Sequence, residues 1–167
     1  MKAMRTSTRT LAILFWASLA THASAQSWVD HEIINAPGGL CLDLPGNFDR
    51  TARPPAGTSV VVSSCNGREA QRWGVVGSES HDYQRQPRQL SSFAGGGIVA
   101  RGGRAVIASD AGDAHYVREH IEIISRSAGA LPTLCLTTQN AHPVPGERVL
   151  VRPCDGSPTQ RFTIVRR

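Results

Sequence analysis

Lysine is all but missing from this chain: Lys2 is the only one, so the remaining basic charge is carried by arginine. Aromatic residues make up 5% of the sequence, and there is no Cys-x-x-Cys pair and no apolar pattern of period 3.6 sustained over three turns. These gaps exclude several function classes. The arginines after residue 25 are scattered from Arg50 to Arg167 without a basic block, so the stripe that tracks a phosphate backbone is missing and no nucleic-acid partner is expected. His142 is the one histidine near a cysteine and lacks a second ligand at zinc spacing, so no metal and no cofactor are expected. No motif sets a nucleophile beside a base or pairs two carboxylates, and His31, His81, His115 and His120 stand alone, so no catalytic residue is named and the chain is read as a non-enzyme. Gly95-Gly96-Gly97 lacks the strand-to-helix setting of a phosphate loop and reads as a turn.

The N-terminus has the three parts of an export signal: Lys2, Arg5 and Arg9, then the apolar run Leu11 to Ala20, then Ala23-Ser24-Ala25 before Gln26. Ten apolar residues fall short of the roughly 20 that span a bilayer, so cleavage near Ala25 and a secreted or periplasmic product are expected, with no membrane span. Residues 1–25 are then the signal and residues 26–167 a single domain. Removing the signal takes three of the 18 basic residues and none of the 13 acids, so the net charge falls from +5 to +2.

An internal repeat decides the fold. Leu40-Cys41-Leu42 superposes on Leu134-Cys135-Leu136, Gly57-x-x-Val60 on Gly146-x-x-Val149, Val62-x-x-Cys65 on Val151-x-x-Cys154, and Gln71-Arg72-Trp73 on Gln160-Arg161-Phe162. The two second cysteines, Cys65 and Cys154, lie 89 residues apart, which leaves room for a middle unit. Gly102-x-x-Ala105 and Ala105-Val106-Ile107 fall at the spacing required. Leu90-Ser91-Ser92 then stands for Leu-Cys-Leu, Asp110 for the second cysteine, and Tyr116 with Arg118 for the glutamine and the aromatic. The repeats cover about residues 28–75, 76–118 and 119–165. Each consists of short runs rich in Val, Ile and Leu between Gly, Pro, Asn and Asp, and even Asp113 to Ile124 alternates as a strand does at Ile121 and Ile123. Three such units cannot each bury a sheet face alone, so they are expected to share one core around a pseudo-threefold axis.

The ordered set Gly39-Leu40-Cys41-Leu42-Asp43, Gly57 to Cys65 and Gln71-Arg72-Trp73, with its second copy from Leu134 to Phe162, resembles the repeat of the ricin B-chain-type β-trefoil lectins. That resemblance implies an all-β β-trefoil in which Gln71, Trp73, Gln160 and Phe162 are structural and buried. It also implies disulfides within repeats, Cys41 with Cys65 and Cys135 with Cys154. The same pairing closes the two shortest non-overlapping loops, each crosslink being worth roughly 3 to 4 kcal/mol on loop-entropy grounds.

Sugar recognition of this type needs a carboxylate, an amide and an aromatic ring. In the resembling lectins these lie two residues after the first cysteine, directly before the glutamine, and two before the second cysteine. Asp43 fits the carboxylate position, whereas the ring position holds Ser63 and the amide position Ala70. The third unit has Thr137, Arg152 and Thr159 at the carboxylate, ring and amide positions, and the middle unit Phe93, Ala108 and His115. The loop Pro45 to Ala56 is longer than its counterpart, and Asn47 and Phe48 within it are candidates to replace the missing groups. The candidate carbohydrate-binding residues are therefore Asp43, Asn47, Phe48 and Ser63, unless Phe48 folds back as core. A secreted monomeric glycan binder is the expected function. By analogy with the targeting subunits of cytolethal distending toxin, a non-catalytic subunit assembling with toxin partners is the alternative. A third reading, an exposed inhibitor loop, would use Arg50 and Arg53.

Overall fold

In a computed structural model the described residues are 29–35, 38–76, 88–109, 112, 114–117, 120–123 and 133–166. The expected signal over residues 1–25 lies outside them, as do Asp110 and Arg118 of the middle unit. The chain forms strands β1 (Val29–Asn35), β2 (Leu40–Asp43), β3 (Val61–Ser63), β4 (Arg72–Val76), β5 (Arg88–Ser92), β6 (Ile98–Arg101), β7 (Arg104–Ile107), β8 (Ala114–Val117), β9 (His120–Ile123), β10 (Leu134–Thr137), β11 (Glu147–Arg148), β12 (Leu150–Pro153) and β13 (Phe162–Arg166). Single 3-10 turns at Glu69–Gln71 and Pro158–Gln160 are the helical elements among the described residues. The stretch around Ile121 and Ile123 is indeed strand, paired antiparallel to β8.

The thirteen strands of the described residues belong to one antiparallel sheet that curls back on itself, with β13 closing onto β1. The run β13, β1, β4, β5, β8, β9 forms the barrel wall, and β9 returns against β13. Hairpins β2–β3, β6–β7 and β10–β12 cap one end. Three residues tie the hairpins together: Val60 N donates to Ala105 O (2.9 Å), Ala105 N to Val149 O (3.1 Å), and Val149 N to Val60 O (2.9 Å). This closed ring of three hydrogen bonds is the pseudo-threefold axis, and its members are the residues three places after Gly57, Gly102 and Gly146. The architecture is a β-trefoil.

The core is one cluster to which every repeat contributes equivalent positions: Leu42, Ile98 and Leu136 from the first hairpin strands, and Val62, Ile107 and Val151 from the second. Trp73 and Phe162 are fully buried in it. An aromatic side chain hides about 150–250 Å² from water, so each contributes roughly 4–6 kcal/mol of transfer free energy. Both disulfides form within repeats, Cys41–Cys65 and Cys135–Cys154.

The middle repeat departs from its expected alignment in two places. Ser91 pairs with Gly97 and Gly74, which puts Leu90–Ser92 on the barrel strand; Gly97 takes the place of Cys41 and Ile98 that of Leu42. Trp73 lies opposite Ser92 and Phe162 opposite Asn35, and the residue opposite the corresponding Ile123 is Ala114, so Ala114 holds the aromatic's core position in place of Arg118. Eleven residues separate Val62 from Trp73 and Val151 from Phe162, but seven separate Ile107 from Ala114. The shortening removes the segment that carries cysteine and glutamine elsewhere. Backbone contact takes over their bracing: a Cβ on Gly112 would lie 2.3 Å from Ile98 N, and one on Gly96 2.1 Å from Ala108 O.

Candidate functional site

Asp43 ends β2, a strand whose successive side chains point to opposite faces, so that Leu42 and the following Leu44 enter the core and Asp43 faces outward. Leu42 faces Val62 inside, while Asp43 pairs with Val61 and Cys41 with Ser63 on the outer side. Asp43 and Ser63 therefore share a face as diagonal neighbours, with Cα atoms about 7–8 Å apart. Asp43 is 9% exposed, and its Oδ2 accepts a hydrogen bond from Gln71 Nε2 at 3.1 Å. Gln71 is itself fixed at both ends of its amide: Nε2 also donates to Ser64 O (2.9 Å) and Oε1 accepts from Asn66 N (2.8 Å). Trp73 Nε1 donates to Leu42 O (3.0 Å), which pins the strand that presents Asp43. Gln71 and Trp73 are thus buried supports beneath the carboxylate.

The third repeat repeats the bracket without the charge. Gln160 Nε2 donates to Pro153 O (2.8 Å) and Thr137 Oγ1 (3.2 Å), and Oε1 accepts from Asp155 N (2.9 Å). Thr137 stands where Asp43 stands, and the exposed Arg152 where Ser63 does. In the middle repeat the carboxylate position falls on Val99, not Phe93, because Val99 pairs with Val106 as Asp43 pairs with Val61. Ala108 keeps the ring position, opposite Gly97.

The loop after β2 is tied down along its length. Phe48 is half-buried and packs on the core cluster, with its ring so close to Gly46 that a Cβ there would sit 2.8 Å from Cε2. Exposed Asn47 accepts at Oδ1 from Arg68 NH1 (3.2 Å). Asp49 closes an Asx turn, its Oδ1 accepting from Thr51 Oγ1, Thr51 N and Ala52 N, each at 2.7 Å. These bonds hold its carboxyl below the ordinary aspartate value, the Thr51 hydroxyl being the largest cause. Glu69 takes Arg50 N (2.9 Å), Arg50 Nε (3.6 Å) and Arg72 NH1 (3.9 Å). Both guanidiniums also lie over Phe93, at 5.2 and 5.1 Å from its centroid.

The structure therefore joins Asp43 to Gln71 and to the face of Ser63, and places Phe48 against the core and Asn47 beside Arg68. The Arg50–Glu69–Arg72–Phe93 cluster that anchors the loop to the second repeat was not anticipated. The i,i+3 spacing of Glu69 and Arg72 is its one sequence-level trace. Among the described residues no group of His, Cys, Asp or Glu could hold a metal ion, and no helix is long and apolar enough to cross a membrane.

This geometry defines a class first: a trefoil with one repeat carrying a tethered carboxylate on its outer face. No protein-family model and no curated protein matches the chain. Solved structures do match. The Macrolepiota procera ricin B-like lectin in complex with lactose aligns with TM-score 0.62 at 18% identity, over 86% of this chain and 99% of the lectin. The C-half of the earthworm R-type lectin in complex with GalNAc aligns with TM-score 0.61 at 14% identity, over 83% and 99%. The β-trefoil lectin of the Vibrio vulnificus hemolysin/cytolysin, with N-acetyl-D-lactosamine bound, aligns with TM-score 0.59 at 18% identity, over 84% and 96%. The chain has the β-trefoil fold of the ricin B-like lectins.

Proposed function

We propose that the protein is a carbohydrate-binding, lectin-like protein that works by binding and not by catalysis, with one sugar site in its first repeat. The observation that carries this reading is the Asp43 carboxylate, set two residues after the first cysteine and tethered through Oδ2 to the buried Gln71 amide. That tether pre-orients an acceptor for vicinal hydroxyls. Ser63 on the same face and Asn47 in the loop supply further polar contacts, and the half-exposed edge of Phe48, whose other side packs on the core, supplies the apolar wall. A single shallow site of this kind binds on the order of millimolar, about 4 kcal/mol, so adhesion to a host or environmental surface relies on clustering or a partner. The export signal at residues 1–25 and the two disulfides fit a secreted or periplasmic chain.

A second reading has one observation in its favour. The amide position of the sugar pocket is held by Ala70, 2% exposed, and the ring position by Ser63, so the pocket lacks two of its usual groups. On that reading the trefoil is a non-catalytic assembly subunit of a bacterial toxin. A glycan array probed with the oxidised protein and with Asp43→Asn separates the two. Binding lost in Asp43→Asn supports the lectin; a blank array with a stable complex to another chain supports assembly.

A further inference from the structure

The outer faces of the three capping hairpins meet around the pseudo-threefold axis, and their residues can be placed from strand register alone. Val60, Ala105 and Val149 point into the core, so the residues preceding them, Ser59, Arg104 and Arg148, point outward around the axis. Arg101 lies directly opposite Arg104 across the Gly102-Gly103 turn, and therefore on the same face at a Cα separation of about 5 Å. Arg104 pairs with Leu150, which makes Arg148 its diagonal neighbour at about 7–8 Å. All three arginines are exposed. None of them makes an ion pair or a side-chain hydrogen bond with any described residue.

The acidic groups of this region already accept hydrogen bonds, Asp43 from Gln71 Nε2 at 3.1 Å. Glu147 spends its carboxylate on Gln139 N (2.8 Å) and Asn140 Nδ2 (3.1 Å). Asp43 lies on the same face as Arg148 but two strands away, about 10 Å, with Val61 between them. Between the arginines the face is apolar, with Val61 and Val106 each 5% exposed and Leu150 half-buried. Three unneutralised guanidinium forks converge there on a stable hydrogen-bonded frame.

We propose that this axial face is a second binding site, independent of the sugar reading of the first repeat, and that it takes a sulfated polysaccharide. A guanidinium fork matches the oxygens of a sulfate bidentately, and three forks spread over two strand spacings, about 10 Å, engage two or three sulfates of one chain at once. The patch is compact where a nucleic-acid duplex needs a stripe, and no described aromatic lies on this face to stack single-stranded bases, which favours the sulfated glycan.

The test measures binding of a highly sulfated heparin oligosaccharide, its desulfated counterpart and a DNA duplex of equal charge to the oxidised protein at about 0.15 M salt. Arg104→Gln/Arg148→Gln is compared with Arg152→Gln/Arg161→Gln, which removes equal charge from exposed positions of the third repeat, and circular dichroism confirms that both remain folded. The expected result is a loss of about tenfold or more in the axial pair, a change of about threefold or less in the control pair, and binding that needs sulfation. Equal weakening by both pairs means adventitious cation exchange and overturns the proposal. So does unchanged affinity in the axial pair, equal binding of the desulfated sugar, tighter binding of DNA, or no binding at all.

Discussion

Replacing Gln71 by alanine tests whether the first repeat's glutamine works against a charge that the third repeat's glutamine does not meet. Gln71 makes three hydrogen bonds, to Asn66 N, Ser64 O and Asp43 Oδ2; Gln160 makes the matching three, to Asp155 N, Pro153 O and Thr137 Oγ1. A buried neutral hydrogen bond contributes about 1 kcal/mol net and one to a charged group about 1.5–3 kcal/mol. Gln160→Ala is therefore expected to cost about 3 kcal/mol, and Gln71→Ala about 4 kcal/mol or more, because it also strands the mostly buried Asp43 carboxylate. The excess belongs to the charge, so Asp43→Asn should erase it: a double-mutant cycle between Asp43→Asn and Gln71→Ala should return a coupling of about 1 kcal/mol, while the same cycle with Gln160→Ala returns about zero. Guanidinium unfolding of the oxidised protein at neutral pH, read by tryptophan fluorescence and far-ultraviolet circular dichroism together, supplies the numbers. Equal costs for the two glutamines, or no coupling to Asp43, would refute the assignment of Gln71 as the tether of the carboxylate.

Trp73→Ala should cost about 3–5 kcal/mol through the cavity it opens, in the same unfolding assay. Gly112→Ala should prevent folding, because its Cβ would meet Ile98 N, Gly97 C and Ile98 O within 2.5 Å, whereas Gly103→Ala meets no atom within 4 Å and should cost only about 1 kcal/mol for its φ of +72°; expression and thermal midpoints check both. The Asp49 turn should outlast ordinary carboxylates on acidification. Its folded pKa lies below the ordinary aspartate value, so its contribution is full above the unfolded pKa and is lost as pH falls through the folded one; the amide shifts of Thr51 and Ala52 report it, and Asp49→Asn should flatten that response. Reducing either disulfide, which close loops of sequence separation 24 and 19, should remove about 3 kcal/mol each, read as a fall in the unfolding midpoint.

The first and third repeats were legible in the sequence because each of their signature residues does a job that one side chain type does best. Cysteine joins the ends of a hairpin, glutamine satisfies a donor and an acceptor on both sides of a turn, and a large aromatic fills the centre. The middle repeat is legible at Gly102 and Ala105, where the axis demands a small motif, and not on either side. There the bracing is done by backbone against backbone at Gly96 and Gly112, and a four-residue shortening shifts Ala114 into the aromatic's position. Glycine carries little sequence signal for such a role. Asp43 was legible as the lone carboxylate, but its dependence on Gln71, and the anchoring of the long loop through Glu69, Arg50 and Phe93, are contacts between distant residues that no local pattern encodes.

The most direct test of the central claim is a nitrogen-15 NMR titration of the oxidised protein with the glycan that scores highest on an array. The account predicts that the Gln71 side-chain amide and the backbone amides of Asn47 and Ser63 shift together and saturate, that Gln160 and Thr137 stay still, and that Asp43→Asn abolishes the shifts while keeping the fold. Shifts centred on the third repeat, or undiminished shifts in Asp43→Asn, would contradict it.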